Sequence, residues 1–357
     1  MSSKTYRAAV IGCGRISRPH AHAYQAIPNV ELVAAADISQ EALDTFGREL
    51  GVERLYLDPQ EMLDQERPDV VSVCTWPPFH ADPVVMACAS GVRAVLCEKP
   101  MAVYLADADR MLHAAKESGT LLCINHQRRF AARYAAARAL LDAGTIGKVT
   151  HITGICNGDA LTDGTHLIDL VRFLNSDNPV TTVYGAIEMS YRGAVNPDGM
   201  GMREFNERRM RYGHHAESGS VGILTFQNGV RANLEMGNLS RGGYQRVFLD
   251  GTEGRIEISG DRPLEGEEWL RYRRASGGWD VPTIEEGRPF QKSVEGMLDV
   301  LENGGVHLLQ GDSARANLEI IMAIYESART RQLVKLPLDR ADSPLEAMIA
   351  SGEIPLN

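Results

Sequence analysis

The chain has 357 residues, which is too long for one ordinary core and suggests two domains, each with a substantial apolar interior. Its 37 Lys and Arg residues are outnumbered by 47 Asp and Glu residues, giving a formal net charge of −10. This acidic balance argues against nucleic-acid binding, which depends on clustered Lys and Arg. No apolar run approaches the roughly 20 residues that a membrane span needs, and the first six residues leave no room for a signal peptide. We therefore expect a cytoplasmic protein with no membrane partner.

The six cysteines all lie in the first half of the chain, mostly inside apolar runs. They form no Cys-x-x-Cys pair, and no His lies at the spacing of a zinc site. We expect buried, reduced thiols and no metal.

Strand-like and helix-like segments alternate from residue 6 to residue 124. The predicted strands are 6–11, 31–36, 54–57, 69–74, 93–97 and 120–124, and the predicted helices are 15–26, 40–50, 59–65, 82–90 and 104–118. Repeated β-α-β order of this kind predicts an α/β fold with a parallel, doubly wound sheet of the Rossmann type.

The first strand runs into a glycine-rich turn that is typical of dinucleotide binding. Gly12 permits the tight turn, Gly14 lets backbone approach a pyrophosphate, and the helix from Arg15 and Ile16 presents free N–H groups to that anion. Asp37 ends the second strand, where an acid accepts hydrogen bonds from the adenosine ribose and repels a 2′-phosphate, so we expect NAD rather than NADP. The alternative is an ordinary strand–helix turn, with Asp37 as a helix N-cap.

Several later segments carry a family resemblance when they are taken as a set with the glycine turn. They are Cys74-Thr75-Trp76-Pro77-Pro78-Phe79-His80, Glu98-Lys99-Pro100, Asn125-His126-Gln127-Arg128-Arg129-Phe130, Gly164-Thr165-His166-Leu167-Ile168-Asp169 and the closing helix 314–329. With these segments the chain resembles the glucose-fructose oxidoreductase and inositol dehydrogenase (Gfo/Idh/MocA) family over about residues 5–338. The resemblance implies that NAD is bound with the help of Thr75, Trp76, Pro77, His80, Glu98 and Lys99.

The resemblance also implies a second, α+β domain with an open, mostly antiparallel sheet, and substrate bound between that sheet and the nicotinamide. Strand-like stretches at 149–153, 181–186, 220–226, 230–236 and 246–250 agree with it, and Asn228-Gly229 predicts a hairpin. We expect a Rossmann domain over 1–124, a substrate-binding and oligomerisation domain over 125–338, and a tail over 339–357 that docks on a neighbouring subunit or frays. Because the family uses the open sheet face for subunit contacts, we expect a homodimer or homotetramer.

Hydride transfer from an alcohol needs a base for the hydroxyl proton and a cationic or hydrogen-bonding group for the oxygen. By resemblance, Lys99 orients and polarises the substrate oxygen and His166 exchanges the proton. Taken alone, Lys99 is better explained as an exposed turn residue and His166 as an ordinary helix cap or core residue. The family commonly has Asp where this chain has Thr162, so either the adjacent Asp163 orients His166, or the Thr162 hydroxyl replaces the acid, or the chemistry is altered.

Other polar residues fall where a substrate would be recognised. They are Arg128, Arg129, Asn157, Asp159, Thr162 and Asn238. The long connection 191–218 either closes over the substrate or forms a surface excursion or oligomer arm, and His214-His215 within it lacks the spacing of a metal site.

Together these features predict an NAD-dependent oxidoreductase acting on a sugar, a cyclitol or a related polyhydroxy compound. Two alternatives remain open: an NAD-retaining, redox-neutral glycosidase or lyase, and a non-catalytic NAD(P)-sensing regulator.

Overall fold

The computed structural model describes residues 5–189, 210–237, 245–260, 268–285 and 287–354. Contacts divide the chain into two compact units, the first formed by Met1–Phe130 with Arg288–Arg315 and the second by Ala131–Gly287 with Ala316–Asn357. Within the described residues, no helix is both long and apolar enough to cross a membrane.

The first unit contains a six-stranded parallel sheet in the order β3-β2-β1-β4-β5-β6. Its strands are β1 (Tyr6–Ile11), β2 (Val30–Ala36), β3 (Arg54–Tyr56), β4 (Val70–Val73), β5 (Ala94–Cys97) and β6 (Leu121–Ile124). Its helices are α1 (Ser17–Gln25), α2 (Gln40–Leu50), α3 (Pro59–Glu66), α4 (Ala81–Ala89) and α5 (Leu105–Ser118), followed in the chain by α6 (Ala132–Asp142) and α7 (Thr165–Leu174) of the second unit. The strand order reverses between β1 and β4, so the predicted doubly wound Rossmann sheet is confirmed.

Local sequence accounts for these helices. On α2, Leu43, Phe46 and Leu50 follow helical spacing and are buried, while the Ser39 hydroxyl accepts from the Ala42 N–H and caps the helix. On α5, Ala108, Met111 and Ala115 follow helical spacing and are buried on one face. Asp37 is therefore not the cap of α2.

The second unit contains a nine-stranded sheet in the order β16-β15-β14-β13-β7-β12-β11-β8-β17. Its strands are β7 (Val149–Cys156), β8 (Val180–Glu188), β11 (Gly219–Phe226), β12 (Arg231–Gly237), β13 (Gln245–Gly251), β14 (Gly254–Ser259), β15 (Leu270–Arg274), β16 (Trp279–Asp280) and β17 (Val334–Lys335). A separate two-stranded hairpin pairs β9 (Met210–Arg211) with β10 (His214–His215). Of the described pairings in the large sheet, β12 with β7 is parallel and the others are antiparallel. The predicted hairpin at Asn228-Gly229 joins β11 to β12, with the Gly229 N–H donating to the Phe226 carbonyl.

The C-terminal third supplies α8 (Pro289–Asn303), α9 (Gly311–Thr330) and α10 (Pro344–Ala350). Met297 of α8 packs in the same buried cluster as Tyr24 of α1, and the Ile124 N–H donates to the Leu309 carbonyl. The division of the chain into two units therefore differs from the predicted domain ranges 1–124 and 125–338, because α8 buries its apolar face in the first unit.

Within the tail, the described residues Pro344–Ala350 form α10, and docking of the tail on a neighbouring subunit stays a prediction. Leu345 and Met348 of α10 are buried, and Glu346 contacts His215 within the second unit. The apolar side chains of this short helix are therefore buried within their own chain. None of the six cysteines forms a disulfide, and all are buried as predicted. Burial raises the pKa of the Cys13 thiol to about 12.

Candidate active site

The turn between β1 and α1 has the geometry that a dinucleotide pyrophosphate requires. Gly12 has φ +94°, and a Cβ there would lie 2.7 Å from the Cys74 carbonyl carbon, so a larger residue does not fit. Nothing lies within 4 Å of a Cβ built on Gly14, which leaves the backbone open to a ligand. Arg15 and Ile16 follow on the exposed side of the turn, so the predicted cradle fits the cofactor.

Arg18 braces this turn, and the sequence analysis did not identify it. Its NH1 group donates to the carbonyls of Cys13 and Gly14, and its Nε and NH2 groups lie 3.1 and 3.0 Å from Glu49 on α2. The turn is thus tied to a neighbouring helix. At the second position of α1, an arginine has no sequence signal that distinguishes it from a solvated surface residue.

Asp37 also holds the turn while keeping acceptor capacity. Its Oδ2 accepts from the Cys13 N–H at 2.6 Å, and its Oδ1 accepts from the Ser39 N–H at 2.8 Å. A carboxylate oxygen accepts up to two hydrogen bonds, so each oxygen retains a lone pair for a ribose hydroxyl. Ile38 beside it is 92 % exposed, an unusual position for a large apolar side chain.

The segment after β4 combines exposed rings with a buried anchor. Trp76 and Phe79 are more than half exposed, and the Thr75 hydroxyl donates to the Phe79 carbonyl. His80 is fully buried, with Nε2 3.0 Å from the Thr75 carbonyl and Nδ1 2.9 Å from the Pro100 carbonyl. Burial lowers the pKa of His80, although these carbonyls oppose the shift. His80 is therefore placed to support the Lys99–Pro100 segment. Pro77 begins the short helical turn between the two exposed rings.

Glu98 is the centre of a buried hydrogen-bond network beside Lys99. Its Oε1 accepts from His20 Nε2 at 2.8 Å and from Asn125 Nδ2 at 2.7 Å, and its Oε2 accepts from the Lys99 N–H at 3.2 Å. Burial alone would raise the pKa of the Glu98 carboxyl, but these hydrogen bonds and the electrostatic interactions with His20 and Lys99 outweigh it and hold the pKa below its usual value.

The network continues from His20 into the core. The Tyr24 hydroxyl lies 2.6 Å from Ser72 Oγ, which lies 2.9 Å from His20 Nδ1. The Tyr24 hydroxyl can donate to Ser72, the Ser72 hydroxyl to His20 Nδ1, and His20 Nε2 to Glu98. In this arrangement a single proton on the imidazole is enough for every group to have a partner. Sequence analysis recognised Glu98 but not its partners, because strand and helix residues more than 25 positions away supply them.

The two arginines predicted for substrate differ in their surroundings. Arg129 is buried, and its guanidinium donates to Ser313 Oγ at 3.1 Å and to the Leu308 carbonyl at 3.4 Å. Arg128 is half-buried. The contacts of Arg129 therefore favour a role in holding the 308–313 segment.

In the second unit, the turn before α7 is held by a buried ion-pair cluster. Arg211 NH1 lies 2.6 Å from Asp159 Oδ2 and 2.9 Å from Asp163 Oδ2, and Asp159 Oδ1 accepts from the Thr162 N–H. Burial alone would lower the pKa of Arg211, but the two carboxylates raise it above its usual value. His166 follows at the second position of α7 and is buried. Orientation of His166 by Asp163 stays a prediction, because the described contact of that carboxylate is with Arg211.

A second carboxylate, Glu217, supports the same turn. It accepts from the Ala160 N–H at 2.6 Å, from the Ser220 hydroxyl at 3.0 Å and from the Tyr325 hydroxyl at 2.7 Å. Burial, together with the charge of Asp159, raises the pKa of Glu217. Neither Glu217 nor Arg211 was singled out as a site residue, because the turn residues that they contact are more than 40 positions away in the sequence.

The remaining predicted residues lie in different surroundings. Asn157 is exposed at the end of β7, whereas Asn238 lies outside the described residues. Of the connection 191–218, residues 210–218 are described and contain the β9–β10 hairpin. Among described residues, no group of three or more His, Cys, Asp or Glu side chains has a metal-binding arrangement.

Comparison with known proteins decides the family. Residues 6–126 match the description "Oxidoreductase family, NAD-binding Rossmann fold", and residues 134–257 match "GFO/IDH/MocA C-terminal domain". The chain belongs to the Gfo/Idh/MocA family. It is therefore an NAD(P)-dependent oxidoreductase with an NAD-binding Rossmann domain, as its resemblance predicted.

Named relatives of this Gfo/Idh/MocA protein span nearly its whole length. A D-apiose dehydrogenase from Paraburkholderia graminis is 29% identical, covering 98% of this chain and 95% of the relative. A myo-inositol 2-dehydrogenase from Thermotoga maritima is 28% identical over 88% of this chain and 96% of the relative. An oxidoreductase from Agrobacterium radiobacter, solved with NAD+, L-tartaric acid and magnesium, has a TM-score of 0.78 at 21% identity, covering 93% of this chain and 98% of that chain. That structural likeness shows the fold alone.

Asp37→Asn is expected to relax discrimination against NADPH. The variant keeps the side-chain size but removes the charge that repels a 2′-phosphate, so the ratio of the NADPH to NADH dissociation constants falls about tenfold or more. Reduced-nucleotide fluorescence measures both constants without a substrate. Asp44→Asn, on the exposed side of α2, is the matched control. An unchanged ratio in Asp37→Asn contradicts this role.

Glu98→Gln is expected to lower the free energy of unfolding by about 3 kcal/mol, because it breaks a buried, charge-assisted network. A carboxyl with a lowered folded-state pKa contributes stability above its unfolded pKa of about 4.3 and loses it as pH falls through the folded value. The deficit of Glu98→Gln relative to wild type should therefore shrink below about pH 4. Urea unfolding between pH 3 and 7 measures it, with exposed Glu117→Gln as the control. An equal deficit at pH 3 and 7 would rule out an ionised Glu98.

Proposed function

We propose that this protein is a dehydrogenase that transfers hydride between NAD and a sugar, cyclitol or related polyhydroxy substrate. The observation that carries the proposal is the placement of Lys99 directly beside the ionised, fully hydrogen-bonded Glu98. The names of the two curated relatives, a D-apiose dehydrogenase and a myo-inositol 2-dehydrogenase, support the substrate class.

Lys99 is proposed to orient and polarise the substrate oxygen. The Glu98 carboxylate accepts a hydrogen bond from the Lys99 N–H. The His80 ring contacts the Pro100 carbonyl and so restricts the movement of Pro100. The Lys99 backbone is thus anchored on both sides. A fixed cation lowers the energy of negative charge that develops on a reacting oxygen. NAD, when bound, supplies the hydride acceptor.

His166 is proposed to exchange the proton of the reacting hydroxyl. The turn 159–164 that leads into α7 is fixed by Arg211 and Glu217, which limits movement of the imidazole at the start of the helix. A positioned imidazole transfers protons in either direction. Asp163 and Thr162 remain the proposed neighbours that adjust its orientation.

Lys99→Ala and His166→Ala should each lower kcat at least a hundredfold while leaving the dissociation constant for NADH nearly unchanged, because neither residue supplies the main adenosine contacts. NADH absorbance is measured with D-apiose, myo-inositol and scyllo-inositol as substrates. Lys116→Ala, on the exposed face of α5, controls for loss of a positive charge.

Full activity in either variant removes that residue from the mechanism. A wild-type protein that retains NAD but produces no net NADH with any polyol contradicts the dehydrogenase proposal and favours the redox-neutral alternative.

We also propose that the protein forms a homodimer or homotetramer through the outer face of the large sheet. Tyr184 and Ile223 are register neighbours on β8 and β11, and each is nearly half exposed. Side chains alternate along β11, so that the opposite face carries buried Leu224 and Phe226. Adjacent exposed apolar side chains on a sheet favour a protein contact.

Ile223→Arg is therefore expected to shift the protein to a smaller species in sedimentation velocity, because a charge on this face opposes burial. Val306→Arg, which changes a 75 % exposed apolar residue of the first unit, should leave the mass unchanged. A monomeric wild type, or an Ile223→Arg protein of unchanged mass, contradicts the proposal.

A further inference from the structure

His214 is a buried histidine with one ring nitrogen lacking a protein partner. Its side chain is 2 % exposed, and its Nδ1 lies 2.9 Å from the His215 carbonyl. Because a carbonyl only accepts, Nδ1 carries the proton and Nε2 of the neutral ring is a bare acceptor. Within the part of the chain that the structure describes, Nε2 has no hydrogen-bond partner. Buried polar atoms are rarely left in this state unless they serve a purpose.

The position of His214 is fixed by a tight hairpin. Tyr212 and Gly213, with φ of +47° and +81°, form the two-residue turn between β9 and β10, and His214 stands directly opposite Arg211. Directly paired residues of an antiparallel ladder place their side chains on the same face, with Cβ atoms about 5 Å apart. His214 is therefore a neighbour of the Arg211 side chain.

The Arg211 side chain connects the hairpin to the turn before His166. Arg211 is held by Asp159 and Asp163, three to seven positions before His166 in the chain. On the other side of the hairpin, His215 Nδ1 lies 2.8 Å from Glu346 Oε2 of α10. Anchored on both sides, the hairpin holds the His214 ring in one place before any ligand arrives.

We propose that His214 is a substrate-binding residue whose Nε2 accepts a hydrogen bond from a hydroxyl of the polyhydroxy substrate. This inference rests on the proposed function. A polyol offers hydroxyl donors on several carbons, and a neutral imidazole lone pair selects a carbon that carries one. A buried acceptor built for a hydroxyl rejects an analogue that lacks it, because the acceptor is then left unpaired. His214 would thus read one hydroxyl other than the reacting one.

The decisive comparison is His214→Asn against His214→Gln. The Asn amide keeps a polar group near the position of Nδ1 but has nothing at Nε2, whereas the Gln amide oxygen reaches about the position of Nε2. KM and kcat are measured by NADH formation with whichever of D-apiose, myo-inositol and scyllo-inositol wild type oxidises, and with its monodeoxy analogues. His113→Gln, which changes an exposed histidine of α5, is the control.

We expect His214→Asn to raise KM about tenfold or more with the dissociation constant for NADH unchanged, and His214→Gln to restore most of the loss. In wild type, one monodeoxy analogue should be a poor substrate, and in His214→Asn that penalty should disappear for this analogue alone. A merely structural role would not produce that selective effect.

Equal losses in the Asn and Gln variants, no loss in either, or unchanged ranking of the analogues would overturn the inference while leaving the dehydrogenase proposal intact. A wild-type protein that oxidises no polyol removes the proposed function, and the inference falls with it. Heteronuclear NMR of protein labelled with ¹⁵N-histidine gives a separate check, since the His214 signal must show a protonated Nδ1 and a bare Nε2 in the free enzyme. A protonated Nε2 there also overturns the inference.

Discussion

A carboxylate that leaves water must receive hydrogen bonds and nearby positive charge, and this requirement organises the first unit around Glu98. His20 and Asn125 come from different elements, yet both donate to the same carboxylate oxygen. Ser72 and Tyr24 extend the set into the centre of the sheet. The result is that the backbone at Lys99 is connected through hydrogen bonds to α1, β4 and the end of β6, and it cannot move without leaving a buried charge unsatisfied.

The second unit meets the same requirement with a different set of groups. Arg211 neutralises Asp159 and Asp163, while Glu217 takes its hydrogen bonds from Tyr325, Ser220 and the backbone of the turn. These bonds shape an irregular turn that would otherwise expose backbone N–H groups inside the protein. His166 follows this turn directly. Each proposed reacting side chain is therefore placed by a satisfied polar network instead of by apolar packing alone.

Such networks suit hydride and proton transfer because the groups are fixed before the substrate arrives. A preorganised cation or imidazole needs no reorientation when charge develops, and the surrounding low-dielectric interior strengthens its effect. The glycine turn follows the same logic for the cofactor, since Asp37 and Arg18 hold it from two sides. The hairpin that carries Arg211 also carries His214.

The local sequence pattern was enough to predict the parallel sheet, the glycine turn and the Asn228-Gly229 hairpin, and to recognise Glu98-Lys99-Pro100 as a motif. Each of these features depends on residues that are close together in the chain. The partners of Glu98, the bracing by Arg18 and Glu49, and the Arg211 cluster were decided by tertiary structure. Each joins residues from separate elements, and no spacing in one sequence specifies which buried charge meets which donor. The same reason explains α8: only its packing in the buried cluster that contains α1 residues assigned it to the first unit.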